Sequence, residues 1–193
     1  DKDIKSITPA DARGFYNSLI IDGDIAGATA AKNWATTTLV FKFAFTQGLI
    51  DTNPALGFDR PQSAGARDRV LSHDEIKAVW SAAGTLGRAG QLVRFLITTP
   101  LRLSMARLAD WSMVSLSDRT ITITADAEGN KAGKSMVLPL NDLAISVLES
   151  LPFRSGPVFP GRSGRPVMFA DRTKKLLDDA SGFSDWRLHD LRR

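Results

Sequence analysis

Residues 120–140, TITITADAEGNKAGKSMVLPL, are the stretch in which the hydrophobic period of the chain changes. Residues 120–124 alternate β-branched polar and apolar side chains, a pattern that predicts a half-buried strand. Residues 135–138 predict a second strand, and residues 127–133 between them are rich in turn-forming types. We therefore expect a β-hairpin that presents Lys131 or Lys134 at its tip.

Helical patterns lie on both sides of this hairpin, so the fold class that we predict is mainly α with a small antiparallel β-sheet (α+β). Thr8 and Pro9 begin a helix to about residue 21, and Gly48 ends a second one over residues 28–47. Ser72 and Glu75 form the capping box of a helix over residues 73–83. Further helices are expected at residues 88–98, 103–109, 142–151 and 169–180, and a third short strand at residues 158–159.

Residues 59–69 contain Pro, Gly, Ser and three Arg but no large apolar residue, which is typical of a linker. We expect a helical domain at residues 1–58 and a mixed domain at residues 70–193. A long surface loop within one domain is the alternative.

The composition excludes several classes of protein. The chain has 193 residues, with 43% hydrophobic and 24% charged, as in ordinary globular domains. It has no Cys and two His, which rules out disulfides and argues against a structural zinc site. No apolar run reaches the length of a membrane span, and residues 1–5 do not resemble a signal peptide. We expect a soluble, cytoplasmic protein.

The net charge of +4 is unevenly distributed along the chain. Residues 1–60 carry six Lys and Arg against seven Asp and Glu, whereas residues 61–193 carry nineteen against fourteen. A polyanionic partner is therefore expected at the second part. An ordinary solvated surface would explain the same numbers.

Three places offer cations that the backbone would hold firmly. Arg102 precedes a helix, Lys131 and Lys134 lie at the hairpin tip, and His189 and Arg192 lie three residues apart, on one face of a helix. Arg presents a planar fork of donors that suits phosphate, and His titrates near neutral pH. Taken singly, each of these features is also common on ordinary surfaces.

Their order along the chain resembles that of the tyrosine recombinases, or phage integrases. Five stretches carry the resemblance, and three shorter upstream stretches resemble the family's helical core-binding domain: Thr29-Ala30, Phe45-Thr46-Gln47-Gly48-Leu49-Ile50 and Asn53-Pro54-Ala55. The five are Arg69-Val70-Leu71-Ser72-His73-Asp74-Glu75-Ile76, Thr99-Pro100-Leu101-Arg102-Leu103-Ser104, Lys131 with Val137-Leu138-Pro139-Leu140, Val158-Phe159-Pro160, and His189-Asp190-Leu191-Arg192-Arg193.

The resemblance implies DNA integration by site-specific recombination of double-stranded DNA, as in a prophage or other mobile element. A Tyr would attack the scissile phosphate and form a 3′-phosphotyrosyl link without metal or nucleotide cofactor. Arg102 and Arg192 would grip the phosphate oxygens, Lys131 (or Lys134) would protonate the leaving 5′ oxygen, and His189 would help to move protons.

The same resemblance implies further DNA contacts from Lys134, Arg193 and Lys42. The complete protein would assemble on DNA as a synaptic tetramer, in the bacterial cytoplasm at the nucleoid, with no role at a membrane.

Two features depart from the family pattern. The family usually has an acid three residues after its first Arg and a Gly two residues before it, where this chain has Met105 and Pro100. The family's Tyr also follows its last box, whereas the only Tyr here is Tyr16. We therefore expect a fragment, with a partial core-binding domain at residues 1–58 and a catalytic domain truncated after Arg193, that binds DNA without cleaving it.

Two other interpretations remain open at this point. A non-catalytic DNA-binding module, such as a degenerate integrase, would bind DNA in a salt-dependent manner but never cleave it, and Met105 favours this interpretation. A helical protein-interaction domain would not bind DNA even at low salt, and the slightly acidic residues 1–60 are compatible with that role.

Overall fold

The computed structural model describes residues 2–21, 25–61, 68–130 and 133–192. The chain forms two compact units, Asp1–Arg67 and Asp68–Arg193. Most residues in regular secondary structure belong to helices, and the strands of the described residues form one three-stranded antiparallel sheet. The predicted fold class is therefore confirmed.

The first unit contains a short 3-10 helix, Ile4–Ser6, and two α-helices, α1 (Pro9–Ile20) and α2 (Gly27–Thr46). Thr8 caps α1 by accepting a hydrogen bond from the Asp11 N–H, while the Asp11 carboxylate accepts one from the Thr8 N–H. Trp34 of α2 is buried against Tyr16 and Phe58. These aromatic contacts form the centre of a small core.

Apolar side chains also remain on the surface of this unit. Leu39, Phe43 and Phe45 of α2 are 66%, 61% and 50% exposed, while Phe41 and Ala44 between them are buried. The helix is therefore apolar on more of its circumference than its own unit covers.

The described residues of the second unit form five α-helices and two 3-10 helices. The α-helices are α3 (His73–Ala83), α4 (Gly87–Thr98), α5 (Leu103–Arg107), α6 (Asp142–Glu149) and α7 (Asp171–Ser181). The 3-10 helices are Trp111–Met113 and Leu188–Arg192. Ser72 and Glu75 form the expected capping box of α3, and the Arg69 guanidinium donates to the Glu75 carboxylate. Helix α4 packs against α3, α5, α6 and the Leu188–Arg192 helix, so it is the centre of the unit.

The sheet consists of β1 (Val114–Ser115), β2 (Thr120–Ile123) and β3 (Met136–Pro139), in that order. The predicted hairpin is present, with Ile121 opposite Leu138 and Ile123 opposite Met136. The predicted third strand at residues 158–159 is wrong. Isolated bridges flank them, Asp110 to Pro157 and Pro160 to Pro166, and the Val158 N–H donates to the Ala109 carbonyl, but β1 is the third strand of the sheet.

One close helix contact fixes the centre of this unit. Gly90, in the first turns of α4, lies so near the end of α3 that an added Cβ would fall 1.7 Å from the Ala83 carbonyl oxygen. Only glycine allows this approach.

No helix within the described ranges combines the length and the apolar character that a membrane span requires.

Candidate functional site

Arg102 lies at the start of α5, where its backbone has the extended conformation of an N-cap residue (φ −72°, ψ 151°). The segment leading to it is anchored on both sides. The Thr99 hydroxyl donates to the Phe95 carbonyl at 2.8 Å, and the Asn141 amide donates to the Thr98 carbonyl at 3.1 Å. Leu101 is buried, whereas the Arg102 side chain is exposed. The backbone therefore holds a free guanidinium at the protein surface.

Met105, where the resemblance leads us to expect an acid, points inward. It is 4% exposed and belongs to the main core cluster of the second unit. This position therefore supplies packing to α5 and no carboxylate to Arg102.

The tip of the β2–β3 hairpin rests against the start of α5. Gly129 has φ +87°, and an added Cβ would lie 3.0 Å from the Ser104 Cβ. The Ser104 hydroxyl lies 3.5 Å from the Gly129 carbonyl oxygen. Since Ser104 follows Arg102 by two residues, this contact brings the hairpin tip to the helix that begins at Arg102.

Asn130 closes the base of the tip. Its side chain is buried, and its amide nitrogen donates to the Thr124 carbonyl at 2.8 Å and to the Lys134 carbonyl at 2.9 Å. Lys134 is exposed, and Lys131 lies outside the described residues. The bonds from Asn130 therefore join the two sides of the tip, next in sequence to Lys131.

His189 and Arg192 lie in the Leu188–Arg192 helix, and both side chains are exposed. Asp190 between them is buried, and its carboxylate accepts a hydrogen bond from the Arg187 N–H at 2.9 Å. Leu191 packs inward. This alternation turns His189 and Arg192 outward. Arg193 lies outside the described residues.

The segments that contain these candidate cations share one hydrophobic core. Leu101, next to Arg102, and Leu191, next to Arg192, both belong to the main cluster or pack against it. Ala127 of the hairpin tip packs against the same cluster. Residues far apart in sequence are therefore attached to one packed interior.

The four candidate cations of this unit that the structure describes also differ from several of its other cations in having no partner among the described residues. Arg119 pairs with Asp142, Lys174 pairs with Asp178, and Arg154 donates to backbone carbonyls. By contrast, Arg102, Lys134, His189 and Arg192 make no side-chain hydrogen bond or ion pair with any residue that the structure describes. They are free to bind an external anion.

Lys42 and Tyr16 belong to the first unit. Lys42 is exposed on α2, next to the exposed Phe43. The Tyr16 ring packs edge-on against Trp34 at 4.9 Å and lies 5.2 Å from Phe58. This packing accounts for an aromatic residue at position 16 without any chemical role.

Two carboxylates of the second unit have lowered pKa values. The hydrogen bond from Arg69 and then the Ser72 N–H lower the pKa of Glu75. A hydrogen bond from Thr124 and the residue's own N–H lower the pKa of Asp126, near the hairpin tip. No group of three or more His, Asp or Glu side chains suited to a metal occurs in the described part of the chain.

No protein-family model matches the chain. Individual relatives do match it. Prophage integrase IntZ of Escherichia coli (strain K12) is 35% identical over 149 residues, which are 72% of this chain and 36% of that protein. Tyrosine recombinase XerC of Pelotomaculum thermopropionicum is 26% identical over 160 residues, 81% of this chain and 48% of that protein. The chain belongs to the tyrosine recombinase family.

Solved structures share the fold of this tyrosine recombinase chain. A lambda integrase (75–356) dimer bound to a COC′ core site matches 100% of the chain and 70% of its own, with a TM-score of 0.73 and 19% identity. The Tn1549 transposon integrase (82–397) in complex with circular intermediate DNA gives a TM-score of 0.74 at 14% identity, over 99% of this chain and 72% of its own. The chain spans less than half the length of the two curated relatives.

The roles of three residues at the site, Ser104, Gly129 and Asn130, could not be predicted from the sequence alone. Ser104 and Gly129 meet across 25 residues, so no local pattern links them. Asn130 stands in a Gly-Asn pair, which signals a turn but does not show that its amide bonds both sides of the tip.

Proposed function

We propose that the protein to which this chain belongs recombines double-stranded DNA at specific sites, by metal-independent cleavage and rejoining through a 3′-phosphotyrosyl intermediate. The observation that carries the proposal is the shared core beneath Leu101, Ala127 and Leu191. It holds exposed, unpaired cations from three segments on one unit. Such a set of cations can stabilise the charge that develops on a phosphate in the transition state.

In this proposal the second unit is the catalytic domain, and the first is a partial core-binding domain with Lys42 as a DNA contact. Arg102 and Arg192 bind the non-bridging phosphate oxygens through their guanidinium forks. Lys131 protonates the leaving 5′ oxygen, His189 assists proton movement, and Lys134 and Arg193 contact the DNA backbone.

Tyr16 is not the nucleophile of this reaction, because it packs in the first unit against Trp34 and Phe58. We assign the nucleophile to a tyrosine outside the 193 residues. The complete protein acts as a tetramer that holds two DNA duplexes together, in the bacterial cytoplasm.

Covalent trapping tests the reaction. The complete protein should form a protein–DNA adduct with a nicked substrate that loses its cleaved strand, whereas the 193-residue chain should bind the DNA without an adduct. Arg192→Ala should slow adduct formation by about 10²–10³-fold, the usual loss when one transition-state donor is removed. Arg192→Lys keeps the charge but loses the fork, so it should restore only part of the rate.

Lys77→Ala is the matched charge control. Lys77 is exposed and pairs on the surface of α3 with Asp74, at 3.3 Å. Its removal should leave the cleavage rate unchanged. Absence of any adduct from the complete protein on its own recombination site would overturn the proposal.

A second candidate function is DNA binding without cleavage, and the buried Met105 favours it. No carboxylate at that position orients Arg102, which would suit a protein that keeps the phosphate clamp and has lost the reaction. Salt-dependent DNA binding with no adduct at full length would identify this function. The absence of DNA binding at low salt would exclude both candidates.

A further inference from the structure

We propose that Asn130 is a positioning residue that holds the lysine of the hairpin tip in place for proton transfer. This inference rests on the proposed function, in which a lysine of the tip protonates the leaving 5′ oxygen. It assigns a role to a side chain that carries no charge and is not proposed to touch DNA.

Asn130 is buried at the hairpin tip. The residue is 8% exposed, although it lies in a surface hairpin among exposed neighbours such as Glu128, Gly133 and Lys134. Burying an amide without partners is costly, so its bonds must compensate for the lost water. The Asn130 side chain is therefore part of the packed structure of the tip.

The two carbonyl groups that accept from the Asn130 amide lie on opposite sides of the hairpin loop. The Thr124 carbonyl follows the last residue of β2, and the Lys134 carbonyl lies two residues before β3. One amide nitrogen thus ties both sides of the loop that contains Lys131. It also fixes the backbone of Lys134, so it serves whichever lysine donates the proton.

The residue before Asn130 also contacts α5. Gly129, next to Asn130, lies so close to Ser104 that an added Cβ would be 3.0 Å from the Ser104 Cβ. The described backbone on either side of residues 131–132 is therefore held by the bonds from Asn130 and, at Gly129, against Ser104 of α5. A general acid works only when it is held within hydrogen-bond reach of the atom it protonates.

The proton transfer gives a selective test of this role. The tyrosine hydroxyl gives up its proton, for which His189 is the proposed acceptor, and its oxygen bonds to phosphorus. The bond from phosphorus to the 5′ oxygen breaks, and the lysine ammonium gives a proton to that oxygen. The products are a 5′-hydroxyl and a neutral amine. If sulfur replaces the bridging 5′ oxygen, the thiolate leaves without a proton, because a thiol has a far lower pKa than an alcohol.

The experiment uses the complete protein with two nicked DNA substrates, one with oxygen and one with sulfur at the bridging 5′ position. Asn130→Ala should slow cleavage of the oxygen substrate by about 10–100-fold, part of the contribution of a positioned acid. On the sulfur substrate it should cleave within about threefold of the unsubstituted protein. Asn130→Asp, which keeps the volume but loses the donor, should behave in the same way.

Three variants serve as comparisons. Lys131→Ala should show the same selective rescue by sulfur, or Lys134→Ala should do so if that lysine is the acid. Ser135→Ala removes another side-chain bond of the same hairpin, in which the hydroxyl oxygen accepts from the Ala125 N–H at 3.0 Å. It should leave both rates close to those of the unsubstituted protein.

Equal losses for Asn130→Ala on both substrates would mean a merely structural role and overturn the inference, as would no loss on either. If the unsubstituted protein cleaves neither substrate, the proposed function fails, and amide hydrogen exchange in the 193-residue chain then decides on Asn130. Faster exchange at Ala127 and Gly133 in Asn130→Ala, with unchanged exchange at Val79 in the core, supports the holding role. Unchanged exchange at the tip overturns it.

Discussion

The contact between Gly129 and Ser104 can be tested with a matched pair of glycines in one hairpin tip. Gly129 and Gly133 both have positive φ, +87° and +60°, so alanine is strained at either position. That strain costs about 1–2 kcal/mol. An added Cβ at Gly133 meets nothing within 4 Å, whereas at Gly129 it lies 3.0 Å from the Ser104 Cβ and 3.1 Å from its backbone carbon.

The two variants should differ in stability by the steric cost of the Cβ added at Gly129. Forcing an atom into a packed contact costs about 1–3 kcal/mol, so Gly129→Ala should lower the free energy of unfolding by about 2–5 kcal/mol and Gly133→Ala by about 1–2 kcal/mol. Urea denaturation of the 193-residue chain, followed by tryptophan fluorescence, measures the difference. Ser104→Ala should not rescue Gly129→Ala, because the clashing Cβ and backbone carbon both remain.

Equal unfolding free energies for the two variants, together with equal amide exchange at Ala127, would refute the reasoning. They would mean that the tip does not rest on α5. The contact that brings Gly129 of the hairpin to the start of α5 would then be unsupported.

Three further predictions concern the framework of the two units. Gly90→Ala should destabilise the second unit by about 3 kcal/mol or more in urea denaturation, because the new Cβ would overlap a carbonyl of α3, whereas Gly14→Ala in the open middle of α1 should stabilise the first unit by about 0.5–1 kcal/mol. Ser72→Ala should lower the unfolding free energy by about 1 kcal/mol through loss of the α3 cap, and a thermal melt should show it. The pKa of Glu75 is lowered by Arg69, so its stabilising effect is full above the ordinary glutamate pKa and is lost as the pH falls through the folded value. Glu75→Gln should therefore flatten the acid side of the stability–pH profile, and an unchanged profile would contradict the ion pair.

Local signals in the sequence were strong enough to predict most of the helices and the hairpin. The capping boxes at Thr8 and Ser72 and the alternation in residues 120–123 depend on neighbours within a few residues. Strand β1 escaped prediction because two residues, Val114 and Ser115, are too few to show a period. Its pairing with β2 depends on the tertiary fold and not on a local sequence pattern.

Composition also did not reveal which apolar residues are buried. Phe41 and Phe43 lie two positions apart on α2, yet one is buried and the other is 61% exposed. Among the candidate cations, residue chemistry gave only weak hints, and the family resemblance singled out Arg102 and Arg192. Neither route could find Asn130, because its role depends on where a turn places its two carbonyl partners.

The inward position of Met105 has a consequence for protein engineering. An attempt to improve Arg102 by introducing an acid at that position, as Met105→Asp, would place a carboxylate in the main core cluster of the second unit. A carboxylate without a partner in such surroundings either takes up a proton or destabilises the fold by several kcal/mol. An acid at this position therefore could not be introduced by one substitution alone, because the neighbouring core would have to change at the same time.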